Sequence, residues 1–115
     1  MSDVLDYGET LKESGFNFMN SPGYDPVSVT GQVASGANII CFTTGRGSCF
    51  GFKPSPSIKI ATNTNMYNKM VEDMDLNAGL IMDGEKNLEE TGKEIFNEIL
   101  SVASGKITKS EHNGY

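Results

Sequence analysis

Asn38-Ile39-Ile40-Cys41-Phe42 is nearly all apolar, then breaks without transition into Thr43-Thr44-Gly45-Arg46-Gly47-Ser48. A short apolar run without polar alternation suits a strand covered on both faces, the usual setting of a parallel sheet. Parallel strands cannot be joined by tight hairpins and need crossover connections, normally helical. The run therefore directs the chain toward an α/β architecture.

The flanking residues extend that pattern. Phe16-Asn17-Phe18-Met19 reads as a first strand, bounded by Gly15 and by Asn20-Ser21-Pro22-Gly23. Asp25 followed by Pro26 is a helix start, with the carboxylate capping free N–H groups and a proline that has no N–H to lose. This helix runs to Ser35, turns Val29 and Val33 to one side, and stops at Gly36. Gly31 in its middle points to close packing against a neighbour. Strand, helix and the Asn38–Phe42 strand together predict a right-handed βαβ unit.

Beyond the arginine loop, Lys53-Pro54-Ser55-Pro56 excludes helix and leads into a third strand, Ser57-Ile58-Lys59-Ile60-Ala61. Thr62-Asn63-Thr64-Asn65 reads as a polar turn and cap for a short helix over Met66–Val71, with Met66 and Met70 as packing residues. Gly79-Leu80-Ile81-Met82-Asp83 reads as a fourth strand. Asn87 with Glu90 forms a capping-box pattern ahead of a stripe of Ile95, Phe96, Ile99, Leu100 and Ala103, and Gly105 ends that helix. The expected fold is α/β: a small, mostly parallel sheet of about four strands with flanking helices, around a Rossmann-like βαβ core. The expected organisation is a linker or docking segment over 1–14, an α/β domain over 15–105, and a truncated polar tail over 106–115.

Charge narrows the function classes. Nine basic against 15 acidic residues give a formal charge of −6 and a pI near 4.6, which argues against nucleic-acid and anionic-membrane partners. No apolar stretch approaches the roughly 20 residues that span a bilayer. Cys41 and Cys49 are too far apart for a zinc-type pair, and His112 is the sole histidine. Cys41 reads as a buried small hydrophobe, and two cysteines without a secretory signal are consistent with a reducing cytoplasm. Apolar residues make up 37% of the chain and there is no tryptophan, a composition that suits part of a larger assembly.

In a parallel sheet, ligands bind beyond the carboxyl ends of the strands. Three polar loops are expected there: Asn20 to Asp25, Thr43 to Ser48, and Thr62 to Asn65. Arg46 suits bidentate capture of a carboxylate, with Thr43, Thr44, Ser48 and the Gly45 and Gly47 amides adding hydrogen bonds. A phosphate fits the same loop chemistry, although the P-loop pattern is absent. The alternative is turn chemistry beside a surface arginine. Lys59 lies mid-strand opposite Ile58 and Ile60, where burial depresses a lysine pKa and favours a base; the alternative is a packed stem with a solvated ammonium. Asp73 and Asp75 are weak candidates for a hard divalent cation.

Three of these blocks, and a fourth further on, carry a resemblance. Phe18 to Ser28, Thr43-Thr44-Gly45-Arg46-Gly47-Ser48, Pro56 to Asn63 and Asp73 to Gly79 resemble stretches of the altronate and galactarate dehydratases, in family order. The match falls on the carboxyl-terminal domain of that family. It implies a domain of a longer hydro-lyase, inactive by itself, that dehydrates a sugar acid to a 2-keto-3-deoxy sugar acid. Iron(II) is the cofactor so implied. Arg46 and Lys59 are then the candidate catalytic residues, and Thr43, Thr44, Gly45, Gly47, Ser48, Thr62 and Asn63 the candidate substrate contacts. The expected partners are the sugar acid, the remaining domains of the parent enzyme and, in a homo-oligomer, further copies. The competing expectation is a non-catalytic acidic-ligand or subunit-docking module of the same fold.

Overall fold

The computed structural model describes all 115 residues and divides them into two compact units, Met1–Asn38 and Ile39–Tyr115. In the first unit, β1 (Asp3–Leu5) and β2 (Asn17–Met19) form a two-stranded parallel sheet, with Val4 opposite Phe18. Helix α1 spans Asp25–Ser35, with Pro26 in its first turn. Tyr24 occupies the capping position without a side-chain bond, so Asp25 lies one residue inside the helix. There its carboxylate faces the positive end of the helix dipole. Gly36 stops the helix as expected, and Gly31 has the anticipated neighbour: a Cβ there would sit 2.2 Å from the Tyr7 ring. The Tyr7 hydroxyl in turn donates to the Val27 carbonyl at 2.6 Å.

The second unit holds a three-stranded parallel sheet in the order β3 (Ile40–Thr44), β4 (Ser57–Ala61), β5 (Leu76–Asn77). The α/β class and parallel pairing follow the sequence reading, but the sheet division does not. The strand before α1 pairs with β1, not with β3, so β2, α1 and β3 do not form one βαβ unit. β1 is three residues long inside a polar segment, and a strand that short has no readable period.

Position in the sheet also reverses which strand is covered. All five residues of β4 are buried, whereas β3 is an edge strand that leaves Cys41 and Thr43 exposed. Cys41 is thus a free surface thiol, not a core residue. On one face of β4, Ile58 and Ile60 pack with Val102, Ile95 and Ile99 of α3 (Leu88–Ala103). Each fully buried isoleucine contributes about 1.5–3 kcal/mol. Ala61 packs with Met66 and Met74, with Met70 beside them, so the methionines are packing residues. Helix α2 spans Thr64–Lys69.

The segment expected as a fourth strand is instead a 3₁₀ turn over Ala78–Ile81, preceded by the two-residue β5. The capping box of α3 forms in full: the Glu90 amide donates to Asn87 Oδ1 at 2.8 Å, and the Asn87 amide to Glu90 Oε2 at 3.2 Å. The apolar stripe of α3 is only partly used, because Phe96 is 59% and Leu100 50% exposed. Residues 106–115 contain a short helix, α4 (Lys109–His112); its capping residue Thr108 and its Ser110 are buried. No helix is long and apolar enough to cross a membrane.

Candidate functional site

The carboxyl ends of β3, β4 and β5 deliver three polar loops to one edge of the sheet. Parallel register sets Thr44 beside Ala61 and Ala61 beside Asn77, so the chain leaves all three strands at the same level. Side chains then tie each loop to its neighbour. The Thr62 amide and hydroxyl both donate to the Thr44 carbonyl, at 3.0 and 3.2 Å. Asn63 Nδ2 donates to the Gly45 carbonyl at 2.8 Å, while Asn63 Oδ1 caps α2 by accepting from the Met66 amide at 2.8 Å. The Gly47 amide donates to Thr44 Oγ1 at 3.1 Å.

Gly47 holds the arginine loop against the core. Its φ is +98°, and a Cβ there would lie 2.1 Å from Met70 Sδ. The backbone region therefore favours glycine, and a side chain there would also displace the Met70 thioether. Arg46, at the tip beside it, is exposed and takes part in none of the four salt bridges of the chain. Its five donors are open to a ligand.

The edge continues onto Thr64, within the loop expected over Thr62 to Asn65, and onto Asn77 and Asp83, which the sequence did not single out as site residues. Asn77 Nδ2 donates to Thr64 Oγ1 at 3.1 Å, and Thr64 Oγ1 donates to the Asp83 carboxylate in a short contact. Gly79 allows this approach, since a Cβ there would meet the Thr64 amide nitrogen at 2.5 Å. The available signal was a carboxylate at the end of the apolar run Gly79–Met82, but that run reads as a strand and hides the turn.

Lys59 is fully buried and lies below this edge. Its ammonium donates to the Ser48 carbonyl at 2.9 Å and stands 5.9 Å from the centroid of the Tyr115 ring. Burial pushes the Lys59 pKa below the ordinary lysine value, against the opposing pull of Asp73, Asp75 and the Cys49 thiol. Ser48 is therefore bound to Lys59 through its carbonyl, and its hydroxyl accepts from the Phe50 amide at 3.1 Å. Of the residues selected from sequence, Thr44, Gly45, Gly47, Thr62 and Asn63 come together at the edge. Thr43 is exposed on β3, and Ser48 and Lys59 form a separate contact underneath. The Asn20–Asp25 loop belongs to the first unit.

Asp75 is a clamp. One carboxylate oxygen accepts from the Lys59 amide at 2.8 Å and the other from the Lys109 amide at 3.0 Å. Asp73 accepts from Asn113 Nδ2 at 3.4 Å. No three His, Cys, Asp or Glu side chains converge anywhere in the chain, so it supplies no complete metal-ligand set of its own.

A loop edge of this kind is found in many α/β proteins; comparison with known proteins decides which family this one is from. The family model for the carboxyl-terminal part of D-galactarate/altronate dehydratase matches residues 1–115, the whole chain. The chain belongs to this family. It is 37% identical over 115 residues to an altronate dehydratase of Bacillus subtilis, covering 100% of this chain and 23% of the relative. It is 44% identical over 104 residues to the L-threo-forming galactarate dehydratase of Escherichia coli, covering 90% of this chain and 20% of the relative. A (2R)-sulfolactate sulfo-lyase subunit beta of Chromohalobacter salexigens is 33% identical over 112 residues, 97% of this chain and 29% of that subunit. The dehydratase-family chain thus spans between a fifth and three tenths of the length of these relatives.

Proposed function

We propose that this chain serves as the carboxyl-terminal part of a sugar-acid hydro-lyase, in which the arginine loop holds the substrate carboxylate. The observation that carries the reading is Arg46: an exposed guanidinium without an internal carboxylate partner, on a loop fastened to its neighbours by Thr62 and Asn63. Family membership supplies the substrate class. The relatives are named for altronate, galactarate and (2R)-sulfolactate. All three acids carry a hydroxyl next to a carboxylate and a leaving group one carbon further on. The part shared with this chain is therefore suited to the common 2-hydroxycarboxylate end.

In the dehydration, a base removes the proton from the carbon bearing that hydroxyl, and charge builds on the carboxylate as an enediolate forms. The hydroxyl of the next carbon then leaves as water, and the resulting enol becomes the 2-keto acid. Arg46, with the Gly45 amide, is suited to stabilise the developing charge, while the Gly47 amide holds the loop through Thr44 Oγ1. Lys59 is fully enclosed, so its role is to position Ser48 and the loop and to raise the local positive potential, not to touch substrate. Iron(II), if the complete enzyme uses it, needs ligands from beyond this chain, which holds no cluster of three. Reaction in the cytoplasm belongs to the same proposal.

The test is steady-state kinetics on the enzyme that carries this chain, with altronate and galactarate as substrates. Arg46→Ala is expected to lower kcat/KM about 100-fold, the loss of a bidentate charge-assisted contact. Lys59→Met is expected to lower it less and to leave the pH of the acidic limb unchanged. Near-parental kcat/KM in both variants would falsify the assignment.

A further inference from the structure

The Thr64–Asn77–Asp83 cluster sits at the same sheet edge as the arginine loop but at its other side. The Thr43–Ser48 loop leaves β3, Thr64 follows β4, and Asn77 ends β5. Neighbouring strands lie about 4.8 Å apart, which separates the two ends of the edge by about 5–10 Å. A six-carbon acid, with C–C bonds of about 1.5 Å, covers that interval when extended. The far end of such a substrate would therefore meet a hydroxyl, a carboxamide and a carboxylate.

These groups are already arranged. Thr64 Oγ1 is held between Asn77 Nδ2 and Asp83, the Asp83 amide is bonded to the Gly79 carbonyl at 3.2 Å, and Asn77 Oδ1 accepts from the Gly79 amide at 2.9 Å. Asp83 itself is exposed and takes part in no salt bridge. A carboxylate at this position accepts hydrogen bonds from hydroxyl groups and repels a second carboxylate.

We propose that Asp83, with Thr64 and Asn77, forms the distal subsite of the edge and selects acids whose far end is a hydroxyl over acids that carry a carboxylate at both ends. This rests on the assignment of the arginine loop to the proximal carboxylate. The chain would then favour a six-carbon monocarboxylate such as altronate over a dicarboxylate such as galactarate, although a galactarate dehydratase is among its relatives.

The deciding measurement is the ratio of kcat/KM for altronate to that for galactarate, in the enzyme carrying this chain and in its Asp83→Asn variant. Asparagine keeps an acceptor for Thr64 and removes the charge. Asp83→Ala, checked for folding by circular dichroism, is a second variant without the acceptor. The expected parental ratio exceeds one, and Asp83→Asn lowers it about tenfold, chiefly by relieving repulsion of the dicarboxylate. A parental ratio at or below one, or a ratio shifted less than threefold in both variants, overturns the subsite while leaving the hydro-lyase reading intact. Turnover of neither acid by the parental enzyme overturns both.

Discussion

Lys59 and Asp75 show how single residues divide the work of this chain. Lys59 puts an ammonium on the central strand with one hydrogen-bond acceptor, the Ser48 carbonyl, and burial lowers its pKa. In the unfolded chain the same group titrates near 10.4. Between the lowered value and about 10.4 the unfolded state holds more protons, so stability rises with pH across that window. Lys59→Met is expected to remove this slope. Urea unfolding at several alkaline pH values, parent against variant, should show two curves that converge as pH rises toward the unfolded pKa. Parallel curves would mean that the lysine is not depressed. Asp75 works in the opposite sense, filling both oxygens with the Lys59 and Lys109 amides. Asp75→Ala leaves two N–H groups unpaired and is expected to cost about 2–4 kcal/mol, measured by denaturant titration. Metal titration of the parental chain should give no heat that this substitution abolishes.

Elements of the second unit depend on a few local devices. The Asn87–Glu90 capping box starts α3, and Asn87→Ala is expected to lower stability by about 1 kcal/mol without altering kinetics. The arginine loop depends on Gly47, whose φ of +98° strains any side chain and whose Cβ would have to displace the Met70 thioether. Gly47→Ala is expected to cost about 1–3 kcal/mol. It should also raise KM, because the loop has to lift away from Met70. A Gly47→Ala, Met70→Ala double variant, with room restored, should recover part of the KM change but not the backbone strain. Equal KM in parent and single variant would separate the loop from substrate binding.

At the scale of the whole molecule, the chain is two compact units with separate sheets, in a family whose compared members are several times longer. The proposed division of labour is that this part recognises the acid and the remainder completes the chemistry. Isolated, the chain is expected to give no detectable 2-keto acid from altronate. Mixed with the preceding region of the enzyme, it should restore turnover, assayed by 2-keto acid formation with and without iron(II). Turnover by the isolated chain would refute that division.

What the sequence determined by itself was local. The α/β class, the start and stop of α1, the capping box of α3, a helix cap within Thr62–Asn65 and the loop Thr43–Ser48 all follow from neighbouring residues, whose physics acts within one turn or one strand. The family resemblance was legible for the same reason, since its blocks are contiguous. What the tertiary structure decided was non-local. Whether β2 pairs with β1 or β3, and whether β3 or β4 is the covered strand, depends on hydrogen bonds between segments many residues apart. The same holds for Asp75 as a clamp on Lys59 and Lys109, and for Asp83 reaching Thr64. No periodicity encodes such pairings, because burial of a whole surface selects them.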